Sequence, residues 1–353
     1  MYEFTYTTQA ARVVFGAGSM KLIQQEVETL GARRALVLCT PEQRAQAETV
    51  SSLLGPSSAG VFAGAQMHVP VENARHAREL AKAVNADCAV AIGGGSTIGL
   101  GKAIALESSM PIIAIPTTYA GSEMTPIYGI TENGLKKTGR DAQVIPKTVL
   151  YDPELTIGLP VQLSIVSGLN AIAHAAEGLY ARDGNPIMSL MAEEGIRAIA
   201  TGLRGIERDA RDIDARSECL YGAWLCGTVL GRVGMALHHK LCHTLGGSFN
   251  LLHAETHAIV LPHALAYNSA AVPDAMARIG RAMGVKSAPR GVFNLAAELG
   301  APTALRDIGM KEADLDRACD IALSNPYWNP QPIERDALRL LLQNAWEGRP
   351  PAD

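Results

Sequence analysis

Seven of the nine histidines fall in two short stretches, Asn170-Ala171-Ile172-Ala173-His174 and the run from His238 to His263. Helical spacing would set Asn170 and His174 one turn apart on one face, and His239 and His243 likewise, because side chains at i and i+4 overlie each other. With His253 they make a five-member polar cluster. Imidazoles at such spacing, with a further His beyond, are a common way to assemble a divalent-metal site. A first-row cation there is normally helped by an anionic oxygen, and Asn170 offers only a neutral amide. Without a metal the same groups form a neutral to cationic pocket suited to an anionic substrate. A lone His reads as a satisfied core or surface group; this concentration beside glycines favours function. Cys242, next to His243, is either a reactive thiol or, more simply, a small buried residue.

These residues need elements to hold them. From residue 34 the chain shows apolar runs bounded by turn residues, RALVLCT, CAVAIGGGS, MPIIAIPTT and KTVLYDP, separated by helical stretches. Such runs read as buried parallel strands of a doubly wound sheet, and TQAARVVFGAGS could add an edge strand or hairpin. After Asp152-Pro153 and Leu159-Pro160 the strand signals stop. MSLMAEEGIRAIATGLRGIE and DALRLLLQNAWEG then carry helical periodicity. The expected organisation is an α/β, Rossmann-like domain over residues 1–157 and an all-α domain over 158–353 that carries the histidines. A cleft between them is where a ligand would be expected.

The strand Ala89 to Ile92 runs into Gly93-Gly94-Gly95-Ser96 and a helix-like TIGLGKAIAL. Glycines after a strand let backbone amides approach a pyrophosphate, and the helix N-terminus presents unpaired N–H groups. A triple-glycine turn alone could equally be a tight connection, and it is neither G-x-G-x-x-G nor a Walker pattern. The next strand, Ile112 to Ile115, adds Thr117 and Thr118, whose hydroxyls can bond the same phosphates or a nicotinamide amide. Together they point to a dinucleotide.

The 353 residues carry a net charge of −4 with no Lys/Arg block, which argues against nucleic-acid or membrane-surface binding. No apolar run reaches the roughly 18 residues of a membrane span. MYEFTYTTQAARVVFG lacks a basic start and apolar core, so a cytoplasmic location is expected. Cys39, Cys88, Cys219, Cys226, Cys242 and Cys319 form no C-x-x-C pair, consistent with free thiols.

Taken together, these motifs resemble the iron-type (group III) alcohol dehydrogenases, which share a dehydroquinate-synthase-like fold, and within them the branch that acts on maleylacetate. The resemblance runs from Phe15-Gly16-Ala17-Gly18-Ser19 through the glycine turn, Pro116-Thr117-Thr118 and the histidine stretches to Asn325-Pro326-Tyr327-Trp328-Asn329-Pro330. It implies that Asn170, His174, His239 and His253 stand at the positions of the metal ligands, and His243 at that of the His lying against nicotinamide and substrate. Asn170 departs from the carboxylate of metal-dependent members, so no metal is expected. Gly99 stands where many of them have Asp, and the Thr-Thr loop is one residue shorter. Thr40 occupies a position that is Asp in NADP-excluding relatives, so NADH or NADPH could serve. One of Lys136 and Lys137, with Lys137 preferred, is expected at the nucleotide. A homodimer is also implied.

The activity so implied is reduction of the conjugated C=C bond of maleylacetate, a dicarboxylate, to 3-oxoadipate in aromatic-compound degradation. His243, with His253, His174 or His239 supporting, would hold the enolate by hydrogen bonding. Candidate carboxylate anchors are His238, Lys240, Lys136, Lys137 and Tyr327, each of which also reads as an ordinary surface charge or packed ring. The rivals are a metal-dependent alcohol or glycerol dehydrogenase, an NAD-using lyase of the dehydroquinate-synthase kind, and a nucleotide-sensing binding protein.

Overall fold

Strands β1 (Arg12–Phe15), β2 (Ala35–Leu38), β3 (Ser58–Phe62), β4 (Cys88–Gly93), β5 (Ile112–Pro116) and β8 (Thr148–Tyr151) form one parallel sheet in the order β1-β8-β5-β4-β2-β3. The four inner strands are buried along their whole length, which is why their sequences are apolar without alternation. Successive side chains still serve opposite layers. Val37, Val90 and Ile92 pack with Ile23, Val27, Val50 and Leu54 of α1 (Ile23–Thr29) and α2 (Arg44–Leu54). Leu36, Leu38 and Ala89 pack with Ala74, Ala77, Leu100 and Ile104 of α3 (Val71–Ala83) and α4 (Gly95–Ser108). After the edge strand β1 the chain passes to β2, moves out to β3, crosses back to β4 and continues through β5 to β8, so its direction reverses between β2 and β4. In open α/β sheets the crevice at such a reversal, beyond the carboxyl strand ends, is where ligands bind.

The computed structural model describes residues 11–132 and 135–351. The expected edge strand is β1, while Thr8 to Ala10 of that segment lie outside the described residues. Two features had no counterpart in the sequence reading. β3 is a half-buried edge strand with a central glycine, and β6 (Ile127–Glu132) and β7 (Leu135–Arg140) form a separate antiparallel hairpin rich in polar residues. Neither is an uninterrupted apolar run.

The chain divides into two compact units at Leu159 and Pro160. The second is helical: α5 (Val161–Gly178), α6 (Pro186–Arg208), α7 (Ile213–Arg232), α8 (Leu237–Phe249), α9 (His253–Asn268), α10 (Pro273–Met283), α11 (Ala288–Glu298), α12 (Leu315–Ser324) and α13 (Arg335–Glu347). Asn185 and Asp212 cap α6 and α7 through their side-chain oxygens. These two helices meet along a seam of small residues. A Cβ at Gly195 would fall 2.8 Å from Cys226 Sγ, and one at Gly202 would fall 2.7 Å from the Ala215 carbonyl. Helix α5 is buried from Leu169 through Gly178. Among the described residues no single helix is long and apolar enough to cross a membrane.

Candidate active site

In the first unit the reversal crevice is built from the glycine turn. Gly93 has φ +153, and a Cβ there would meet Thr97 Oγ1 at 2.5 Å and Gln43 Oε1 at 2.7 Å, so only glycine fits. Helix α4 starts at Gly95 with no side-chain cap, leaving its first N–H groups for an anion. Gln43, just beyond β2, donates from Nε2 to Thr117 Oγ1 at 2.9 Å and so ties two strand ends together. Thr118 lies over the turn, its Cγ2 only 3.0 Å from where a Gly94 Cβ would be. At Gly99 a Cβ would stand 2.8 Å from Val69 Cγ2, so any larger side chain there requires Val69 to shift.

Behind the turn, the fully buried Lys102 donates from Nζ to the carbonyls of Ser122 (2.6 Å), Thr125 (2.9 Å) and Ile127 (2.8 Å) and to Thr125 Oγ1 (2.9 Å). It thereby fixes the loop carrying Thr117 and Thr118 to α4. Burial lowers its pKa to about 7, partly offset by Glu123. Glu123 is itself buried, accepts from the Tyr151 hydroxyl at 2.8 Å, and is pushed up by burial. Thr40 lacks an acid, but its hydroxyl bonds the exposed Glu42, so a carboxylate stands two residues on. Lys137 is exposed on β7 and paired with Glu132 at 2.6 Å.

In the second unit α5, α8 and α9 bring their histidines together. One ring nitrogen from each of His174, His239 and His257 lies within 4.8 Å of the others. Asn170 Oδ1, His174 Nδ1, His239 Nε2 and His257 Nε2 are buried with no hydrogen-bond partner among the described residues. Buried polar atoms without partners, three of them on the clustered histidines, are costly unless something else meets them. Two residues of this centre were not singled out from sequence. His257 is one turn beyond His253 on the same face of α9, and Glu177 is one turn beyond His174 on α5.

Glu177 is fully buried and has two tasks. Its carboxylate accepts the backbone N–H groups of Ala236 (2.8 Å), His238 (2.7 Å) and His239 (3.4 Å), supplying the cap that Ala236 cannot give to α8. It also accepts from His239 Nδ1–H at 2.7 Å, which turns Nε2 towards His174 and His257. Burial, the dominant cause, and neighbouring histidines hold His174, His238 and His257 well below the usual imidazole pKa, so these rings are neutral.

Several expectations need correction. His238 is no surface cation: it is buried and shares a 3.0 Å hydrogen bond with His257 Nδ1. His253, placed with the ligands by resemblance, is exposed in the first turn of α9 with its ring 4.3 Å from that of His257 and close enough to help lower the His174 and His257 pKa values, while His257 joins His174 and His239 in the buried cluster. Cys242 is buried against His238 and its thiol is pushed well up by burial, which removes the reactive-thiolate reading. His243 is exposed, one turn from His239, and its Nδ1 lies 3.0 Å from the Tyr327 hydroxyl. Lys240 Nζ sits 5.7 Å from the Tyr327 ring centre.

Three imidazole nitrogens, one backed by a carboxylate, are a donor set that fits a divalent first-row ion. The neutral Asn170 leaves that set without negative charge. A glycine cradle at the sheet reversal and a buried histidine centre on a helical unit define an oxidoreductase architecture, and sequence comparison agrees. Residues 10–153 match the model for iron-containing alcohol dehydrogenase and residues 164–346 that for the C-terminal part of the Fe-containing alcohol dehydrogenase family. The chain belongs to this family. It is 61% identical over 352 residues to the maleylacetate reductase of Burkholderia cepacia, covering 100% of both chains. The crystal structure of maleylacetate reductase from Rhizobium sp. strain MTP-10005 superposes with a TM-score of 0.97 at 56% identity, covering 99% of this chain and 100% of the other. That from Agrobacterium tumefaciens gives 0.97 at 55%, with the same coverage.

Proposed function

We propose that this chain reduces the conjugated C=C bond of maleylacetate to give 3-oxoadipate, using NADH or NADPH and requiring no metal. The observation that carries the reading is the Asn170 amide, buried one turn from His174 where a metal-binding carboxylate would stand, which leaves Glu177, bonded to His239 and the start of α8, as the acid of this centre. The full-length likeness to maleylacetate reductases supports it.

A nicotinamide held at the glycine turn would supply hydride to the alkene carbon remote from the ketone, and this chain's residues would then have to hold negative charge on the ketone oxygen. Burial raises the Tyr327 pKa, so its phenol stays protonated and shares a hydrogen bond with His243 Nδ1. In the tautomer in which Nδ1 accepts from Tyr327, His243 Nε2–H is available to hold the enolate oxygen by a hydrogen bond, and a water supplies the proton to the adjacent carbon. His174, His239 and Asn170 shape the floor beneath, together with His257, and the exposed His253 supports the rim. Were a divalent ion bound, His174, His239 and His257 would hold it and it would polarise the ketone. The six buried, free cysteines suit the reducing cytoplasm, and the family resemblance favours a homodimer.

The test is NADH oxidation by chelator-treated protein with freshly generated maleylacetate, set beside simple aldehydes and ketones. Turnover of maleylacetate without metal is expected. Activity only with added zinc or iron, on simple carbonyls, would instead establish the metal-dependent dehydrogenase that the three clustered nitrogens also allow.

A further inference from the structure

We propose that Arg182, with the indole of Trp328, forms the subsite that takes one terminal carboxylate of the dicarboxylate substrate. A cavity of about 370 Å³ is lined by Arg182, Asp183, Gly234, Met235 and Trp328, a size within the range of small-molecule sites. All three segments in its wall continue from residues of the histidine centre. Arg182 lies in the turn after α5, four residues beyond the last turn that carries Glu177 and Gly178. Met235 precedes Ala236, whose N–H is held by Glu177, and Trp328 follows Tyr327, the partner of His243.

The cavity's charged groups are Arg182 and Asp183. The Asp183 carboxylate keeps its charge but is held against the wall, its Oδ1 accepting the Gly234 N–H at 2.8 Å. The Arg182 guanidinium makes no ion pair or hydrogen bond with the described residues, and it is exposed. Trp328 is 41% exposed, a large apolar surface left open beside that cation. A guanidinium binds a carboxylate through two parallel N–H bonds, and an apolar flank strengthens them by thinning the water around the pair. The planar, conjugated end of a maleyl group also suits an indole face. Of the other basic candidates, His238 is buried on His257, Lys137 is paired with Glu132, and Lys240 stands over the Tyr327 ring, where it could meet the opposite carboxylate.

This assignment rests on the dicarboxylate reading above, and the experiment separates the two. Steady-state kinetics with maleylacetate at saturating NADH are compared for wild type, Arg182→Gln, Arg182→Lys and the control Arg204→Gln, which alters a separate surface cavity on α6. Adipate and hexanoate serve as dicarboxylate and monocarboxylate inhibitors. Expected for Arg182→Gln is a 10- to 100-fold rise in KM with kcat lowered less than threefold, and adipate inhibition weakened by the same factor while hexanoate is unaffected. Arg182→Lys should lie between, and Arg204→Gln should match wild type. A KM within twofold of wild type, or equal weakening of adipate and hexanoate, overturns the subsite. If the wild type does not turn over maleylacetate, the preceding reading fails, and calorimetry of adipate still decides: equal affinity for wild type and Arg182→Gln refutes the subsite, and loss on substitution supports it.

Discussion

Replacing Glu177 by Gln keeps the shape of the side chain and removes its charge. One oxygen accepts from His238 N–H at 2.7 Å, and the other from Ala236 N–H at 2.8 Å and His239 Nδ1–H at 2.7 Å. An amide supplies one acceptor, so whichever way it is turned a buried N–H faces another donor. Leaving one buried donor unmet costs about 1–3 kcal/mol, and losing the charge on the remaining bonds costs about 1.5–2 kcal/mol more. The sum, roughly 3–5 kcal/mol, corresponds to a fall on the order of 10 °C in the melting of a helical unit of this size. Catalysis should suffer separately, because His239 is no longer held with Nε2 turned to the centre; a kcat loss of about 100-fold is expected. Differential scanning calorimetry and NADH-linked turnover read the two effects. Combining the change with His239→Gln should give less than the sum of the single losses in kcat. A melting point within about 2 °C of wild type and kcat within twofold would refute this account of the carboxylate.

Asn170→Asp adds a buried charge to the centre; against a carboxylate at a separation of roughly 6 Å this is worth on the order of 2–3 kcal/mol of repulsion at an effective dielectric of about 20. It should lower kcat/KM for maleylacetate about 30- to 150-fold while tightening zinc binding in a chelator competition, and unchanged kcat/KM would count against the charge argument. Lys102→Met removes the buried donor shared by three carbonyls; NADH affinity, read by fluorescence titration, should fall at least about tenfold, whereas an unchanged affinity would confine Lys102 to folding. Acid should destabilise the fold. His263 is held down to about 4 by burial, and His174, His238 and His257 are also lowered. The unfolded chain therefore takes up protons from pH 6.5 downward that the folded one refuses, so stability is full above pH 6.5 and is lost as pH falls towards 4. His263 alone accounts for about 3 kcal/mol over that window. A denaturation midpoint that stays flat between pH 7 and 5 would contradict it.

The inner strands were legible because a strand buried on both faces must be apolar throughout, as Cys88–Gly93 is. The pairing of Asn170 with His174 and of His239 with His243 followed from helical spacing alone. β3 and the β6–β7 hairpin were not legible, since partly exposed strands do not need continuous apolar sequence. Glu177 escaped notice for a different reason. A carboxylate is ordinarily solvated, and the donors that make this one buriable lie about sixty residues further along, at Ala236, His238 and His239. His257 was hidden by its neighbour His253, which has the family's spacing, and only the burial of each ring separates them.

The seam between α6 and α7 bears on how this protein can change. Where Gly195 and Gly202 let backbone and sulfur set the helix spacing, there is no side chain left to trim and no gap to fill. Selection for altered substrates therefore has little to work with in that pair, which acts as a fixed chassis. Variation that leaves the fold intact is channelled to segments whose side chains end in open space, such as the turn at Arg182 and the loop at Trp328, so related chains with new acid preferences should differ there first.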